Sequence, residues 1–273
     1  MLPSSVNPGL PLALLLIEDD PSIRRFVALA LEDLPVELHV VASLAEARQR
    51  LSERPWGLIL CDLMLPDGSA LTLLADPAAR AAAASAPWAM MSAGLTPERR
   101  DQLAALGVTV CLDKPVSLAT LEAAVQAALQ SAGLDPRGSD AEPAADPTAD
   151  PTADGPPPPR PSPADAPWPP AQAEALARHF GGDAELFGDF RRDVLRQLPQ
   201  DAAEGDLAWQ RQDAAALRRV AHSLKSVLTL IGEPELSLQA RALEDAAATP
   251  ATAAAAFEGW PAVAQALRRL VAP

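Results

Sequence analysis

The chain has no tyrosine, two cysteines and three histidines among its 273 residues. Two cysteines cannot build a disulfide scaffold, and such usage fits a reducing interior. Aromatic side chains make up only 4% of the residues, so any core must rest on aliphatic side chains and alanine. Basic residues are scarce: 22 Lys and Arg face 36 Asp and Glu, a net charge of −14. That excess argues against nucleic acid or an anionic membrane as the main partner. Long apolar runs are missing too. The run Leu12–Ile17 is too short to span a bilayer. No lysine or arginine precedes it, so it makes a poor signal peptide. These absences together predict a cytoplasmic protein without a membrane span.

Proline is abundant. Of 29 prolines, 13 fall within residues 133–170, along with seven acids and two bases. Proline at that density blocks helix and sheet ladders, and the segment has little apolar surface to bury. Residues 133–170 are therefore expected to be a proline-rich acidic linker, and residues 1–11 a disordered leader. The whole chain is 49% hydrophobic, which excludes global disorder. Its length suits two domains, assigned to residues 12–132 and 171–273.

The first domain alternates apolar runs with amphipathic stretches. Strands are expected at Leu12–Ile17, Val36–Val41, 56–61, 88–91 and 108–112. Helices are expected at 22–34, from Ser43 to about residue 53, from about Ser69, from Thr96, and at 117–130. In the first helix, Ile23, Phe26, Val27, Ala30, Leu31 and Leu34 share a face. Five strands alternating with five helices predict an α/β doubly wound, five-stranded parallel sheet of the flavodoxin-like kind. The second domain reads as a separate all-α antiparallel bundle. Its helices are expected at 171–180, from an Asp183 cap to residue 198 or past Pro199 to residue 210, from Asp213 to about 231, at 234–247 and at 253–271.

Acids cluster where the parallel strands end. Glu18, Asp19 and Asp20 follow the first strand, and Asp62 follows the third. Clustered carboxylates repel and need compensation. A hard divalent cation, usually Mg2+, supplies it through oxygen ligands. Lys114 after the fifth strand and Ser92 after the fourth reach the same edge. Acids, cation, lysine and hydroxyl suit phosphoryl transfer, in which positioning and charge stabilisation carry the chemistry. Asp62, in the loop running to Gly68, is the best candidate nucleophile.

These pieces resemble the receiver domain of two-component response regulators over residues 12–131. The matches are Leu16-Ile17-Glu18-Asp19-Asp20, Asp62 to Gly68, Met91-Ser92-Ala93 and Asp113-Lys114-Pro115. The resemblance implies that Asp62 accepts a phosphoryl group and binds metal. It implies that Asp19 is a direct Mg2+ ligand, that Glu18 acts through water and that Met64 offers its backbone carbonyl. It further implies that Ser92 and Lys114 contact the phosphoryl oxygens, with Asp20 only a neighbour. Where many receivers carry tyrosine or phenylalanine, three residues before the lysine, this chain has Cys111. A coupled aromatic switch is therefore not expected.

In the second domain, Leu217, Val220, Leu224, Val227 and Ile231 form one helical face that should point inward. His222 lies off it, beside Arg218, Arg219, Lys225, Ser226 and Thr229. A neutral imidazole on an exposed, cationic stripe is a nucleophile placed to meet a phosphoryl group. Residues 171–271 resemble a histidine phosphotransfer (HPt) domain, marked by His-x-x-Lys-Gly. Here the motif reads His222-Ser223-Leu224-Lys225-Ser226, with serine in the glycine position. The resemblance implies that His222 accepts the phosphoryl group and that Lys225 assists.

The chain is thus expected to be a phosphorelay intermediate rather than an enzyme with an ATP-binding kinase core. A sensor histidine kinase or other phosphohistidine donor would load Asp62. His222 would pass phosphoryl groups to or from a downstream response-regulator receiver. The alternative is a phosphorylation-regulated binding module, or the detached tail of a hybrid sensor kinase, whose bundle only docks partners.

Overall fold

The computed structural model describes residues 11–83, 86–134 and 168–272. The expected leader, apart from Pro11, and most of the expected linker lie outside the described residues. The first domain begins with β1 (Leu12–Ile17), α1 (Pro21–Ala30), β2 (Val36–Val41), α2 (Leu44–Leu51) and β3 (Leu58–Asp62). A small hairpin follows, β4 (Met64–Leu65) and β5 (Gly68–Ser69). Then come α3 (Ala70–Ala75), α4 (Pro77–Ala83), β6 (Trp88–Ser92), α5 (Pro97–Ala105), β7 (Val108–Asp113) and α6 (Leu118–Ser131). Five strands form one parallel sheet in the order β2-β1-β3-β6-β7. This is the α/β doubly wound architecture expected from the alternation.

The central strands β1, β3 and β6 are buried along their whole length, which is why they read as continuous apolar runs. Helix α1 begins one residue earlier than expected, at Pro21, and ends four residues sooner, at Ala30. Asp20 caps it by accepting the Ser22 and Ile23 N–H groups on Oδ1. The helix stops at Ala30, where Leu31 leaves helical geometry and a tight turn, Leu34 N–H to the Leu31 carbonyl, leads into β2. The single helix expected from Ser69 is two. Ser69 caps α3, then Asp76 is extended ahead of Pro77 and caps α4 through the Ala78 N–H. Ser43 caps α2 as expected, but the Glu46 carboxylate takes the Ala42 N–H rather than that of Ser43.

The second domain contains α7 (Pro170–Phe180), α8 (Ala184–Gln210), α9 (Ala214–Leu230), α10 (Pro234–Ala246) and α11 (Ala253–Leu270). Short connections force the long helices to pack antiparallel. Helix α8 runs through Pro199 as one element. Two glycines permit the close packing. A Cβ on Gly205 would meet the Trp260 indole at 2.0 Å. A Cβ on Gly232, which has φ +77°, would meet the Gln172 backbone at 2.6 Å. Trp260 donates through Nε1 to Asp206 at 2.9 Å, which fixes the indole over Gly205.

The two domains pack against each other through α1 and α8. Phe26 of α1 is buried, and its ring meets Phe180 and Phe190 edge-on, each at 5.6 Å between centroids. Arg25 Nε pairs with Asp193 at 2.7 Å.

Candidate functional site

The parallel topology carries the ends of β1, β3, β6 and β7 to one rim. Glu18 and Asp19 lie just beyond β1, Asp62 and Ser92 end β3 and β6, and Lys114 follows β7. Lys114 N–H donates to the Ser92 carbonyl at 2.8 Å, which continues the sheet to the rim. The Lys114 side chain is only 4% exposed, and Nζ donates to Glu18 Oε2 and Asp62 Oδ2, both at 2.7 Å. All six residues expected at this edge, Asp20 included, line one cavity there. Met64 follows on β4: its backbone N–H donates to Asp62 Oδ1 at 3.2 Å, while its side chain is exposed.

The electrostatics are those of a site short of positive charge. Burial pushes Glu18 up to about 8, with Asp62 and Asp20 adding repulsion against the pull of Lys114. Burial and the Asp62 charge also raise Asp19. Lys114 is raised: burial opposes its charge, but the paired Glu18 and Asp62 carboxylates outweigh it. Glu18, Asp19 and Asp62 each offer an oxygen, all within 4.8 Å of one another. Three hard oxygen donors beside a single lysine fit a divalent cation of the Mg2+ type.

The loop after Asp62 is tied down by a contact that sequence reading missed. Asp67 accepts the Leu44 and Ala45 N–H groups, both at 2.9 Å, at the amino end of α2. Against the cost of partial burial, these bonds hold its carboxyl below the usual range. The spacing inside the loop gave no sign of this partner 23 residues away.

On α9, Leu217, Leu224 and Val227 are fully buried, as is Ile231 just past its end, and Val220 is half-buried. His222 is 30% exposed, off that face as expected. The structure corrects its surroundings. Besides the expected cations, an acid reaches it from α10: Glu244 Oε1 lies 2.6 Å from His222 Nδ1, and Glu244 Oε2 lies 2.6 Å from Lys225 Nζ. Burial raises the Glu244 carboxyl, but its bonds to His222 and Lys225 prevail and bring it down to about 2. An ionised carboxylate only accepts, so Nδ1 carries a proton, and in the neutral ring Nε2 is then the nitrogen with the lone pair. Sequence spacing could not find Glu244, because it lies 22 residues away on another helix. Ser226 is buried, and its hydroxyl folds back onto the His222 carbonyl at 3.5 Å.

The expectation that Asp20 is a bystander is also corrected. Its second carboxylate oxygen accepts from the Ser223 hydroxyl across the domain boundary. Asp62, Ser92, Lys114, Glu18, Asp19, Arg218, Arg219 and His222 all line one cavity of about 350 Å3 between the domains. Cys111 is half-buried on β7, in the position where an aromatic was noted as missing. Among the described residues, no helix is long and apolar enough to cross a membrane.

Comparisons with known proteins follow the same division. The model of the response regulator receiver domain matches residues 14–126, and the model of the Hpt domain matches residues 189–272. The response regulator protein PilR of Pseudomonas aeruginosa is 32% identical over 116 residues, which cover 42% of this chain and 26% of that protein. The KDP operon transcriptional regulatory protein KdpE of Escherichia coli is 32% identical over 118 residues, covering 42% of this chain and 50% of its own. This chain thus spans from about a quarter to half the length of these curated relatives. Among solved structures, the signal receiver domain of a putative Luxo repressor protein from Vibrio parahaemolyticus is similar, with TM-score 0.42 and 24% identity over 45% of this chain and 94% of that one. The receiver domain of the sensor histidine kinase PA1611 from Pseudomonas aeruginosa gives TM-score 0.38 and 22% identity, covering 44% and 98%.

Proposed function

For this chain, a two-component phosphorelay protein in which a receiver domain precedes an Hpt domain, we propose that Asp62 accepts a phosphoryl group from a partner phosphohistidine and that His222 passes phosphoryl groups to or from a receiver aspartate. The observation that carries this reading is Lys114, whose buried ammonium holds Glu18 and Asp62 at 2.7 Å each at the rim of the sheet.

In loading, an Asp62 carboxylate oxygen attacks phosphorus and the bond from phosphorus to the donor nitrogen breaks. The product is an acyl phosphate. Lys114 is placed to shift from its carboxylate partners toward the new phosphoryl oxygens, and the Ser92 hydroxyl stands at the same edge. Asp19 and Asp62 would hold Mg2+ directly, Glu18 through water, and Met64 through its backbone carbonyl. When bound, the ion offsets the charge of the carboxylates and of the phosphoryl oxygens. The burial of Glu18 behind Lys114 suits an indirect role for it. In the bundle, Glu244 fixes the His222 ring and Lys225 supplies positive charge beside it. The partners proposed are a sensor histidine kinase or other phosphohistidine donor and a downstream receiver. The residues that do the work are those of phosphotransfer modules, and a cytoplasmic site of action suits them.

The test is transfer from a radiolabelled phosphohistidine donor to the full chain. The unsubstituted protein should carry label in both acid-stable and acid-labile form. His222→Gln should keep the aspartyl label and lose the acid-labile phosphohistidine. Asp62→Asn should take no label from a histidine donor. Label reaching Asp62→Asn at the unsubstituted level would overturn the reading. A retained downstream output in His222→Gln would favour a docking module instead.

A further inference from the structure

Three side-chain contacts place the bundle on the receiver in one register. Phe26 of α1 is 1% exposed and packs against both Phe180 and Phe190, each at 5.6 Å, and those two rings also meet each other. Aromatic residues are rare in this chain, yet three of its five phenylalanines meet at this junction. Arg25, the residue before Phe26, pairs with Asp193 of α8 at 2.7 Å. Ser223, the residue after His222, donates to Asp20, the residue after Asp19. The carboxylates of Glu18, Asp19, Asp20 and Asp62 line one cavity with Arg218 and Arg219 of the bundle, so charge is complementary across the gap. The apolar contact supplies adhesion, and the polar pins supply register. Their joint result is that Asp62 and His222 line the same cavity.

We infer that the receiver and the bundle of one chain form a closed transfer complex, in which His222 is the partner of Asp62 of the same molecule. The inference rests on the phosphorelay reading above and adds the identity of the partner. In the transfer, the Nε2 lone pair of His222 forms the bond to phosphorus. The bond from phosphorus to the Asp62 oxygen breaks, and its electron pair stays on the carboxylate. The Nδ1 proton remains shared with Glu244. The return transfer is the reverse. The docked bundle also covers the face through which an outside phosphohistidine reaches Asp62. Loading from outside therefore requires the docking contacts to open, and onward transfer from His222 requires them to open again. Docking thus sets the order of the relay: open to load, closed to transfer, open to deliver.

The test uses the full chain with acetyl phosphate and Mg2+ to load Asp62, and follows acid-labile phosphohistidine with time. Loading of His222→Gln is the control for the phosphorelay reading: failure there sinks that reading, whereas success leaves the docking inference to the kinetics. Transfer to His222 in the unsubstituted chain should be first order, with a rate constant unchanged over a hundredfold range of protein concentration. A mixture of preloaded His222→Gln with Asp62→Asn, at low micromolar concentration, should transfer at least tenfold more slowly. Asp193→Arg, a substitution on the bundle away from both reacting groups, should slow transfer about tenfold, and Arg25→Asp in the same chain should restore it. Phe26→Ser should slow it further, with circular dichroism confirming a folded protein. A rate proportional to protein concentration, or a mixture as fast as the single chain, would overturn the inference. So would an Asp193→Arg reversal that leaves the rate unchanged.

Discussion

Glu244 joins the two groups of the bundle proposed to act in transfer, since one carboxylate oxygen meets His222 and the other Lys225. It acts through the histidine, as a positioning residue. Glu244→Gln keeps the shape but removes the charge that fixes the tautomer. Histidine nitrogen NMR should then show the Nδ1–H form lost as the dominant species, with transfer slowed by about tenfold to hundredfold. The same carboxylate makes a pH prediction. Its folded value of about 2 lies below the ordinary 4.5. Its contribution is thus fully present above the ordinary value and is lost as pH falls toward 2. Urea unfolding should show Glu244→Gln less stable by about 2 kcal/mol at pH 7, with the gap closing on acidification. At the sheet edge, Mg2+ should raise the melting temperature of the unsubstituted chain by a few degrees, and leave the Asp19→Asn, Asp62→Asn double variant unmoved. Differential scanning calorimetry with and without the ion checks this.

Elements were legible where one local signal governed them. The apolar runs of β1, β3 and β6 announced buried parallel strands, and Ser43, Ser69, Thr96, Asp183 and Asp213 announced helix starts. The break at Asp76 was less legible because alanine on both sides hid it, although Pro77 was its cause. Gly205 shows packing overriding propensity. Alanine favours a helix over glycine by about 1 kcal/mol, yet here its Cβ would strike Trp260 at 2.0 Å. Gly205→Ala should therefore destabilise the bundle by about 3 kcal/mol or more, read by urea unfolding and by a shift in tryptophan fluorescence. Helix α8 carries a second cost. Burial raises Asp201 to about 6 against its ordinary 3.8; Asp20 across the boundary and Glu204 add to this, and the Gln197 bond opposes it. Arg211 and Arg219 line the same cavity as these acids. A raised carboxyl favours the folded state while protonated, so stability falls as pH climbs from about 4 through about 6. Asp201→Asn should be more stable than the unsubstituted chain by about 1–2 kcal/mol at pH 7, with no gain at pH 4. Thermal melts at the two pH values check the sign.

At the scale of the molecule, both folds could be read from the chain, but the meeting of Asp62 and His222 at one cavity could not. The helical face holding Phe26 looked like ordinary core, and periodicity alone does not say whether a buried ring faces its own sheet or a neighbouring domain. Asp20 looked like a third acid in a row, whereas it caps α1 with one oxygen and meets Ser223 with the other. Such roles depend on residues about 200 positions apart, for which a single sequence holds no local pattern. The central claim is that Asp62 and His222 are successive landing points for one phosphoryl group. Phosphorus NMR of the full chain with acetyl phosphate and Mg2+ tests it most directly. The expected spectrum contains an acyl phosphate and a phosphohistidine resonance, the second absent in His222→Gln and both absent in Asp62→Asn. A phosphohistidine resonance of full strength in Asp62→Asn, or no acyl phosphate in His222→Gln, would contradict it.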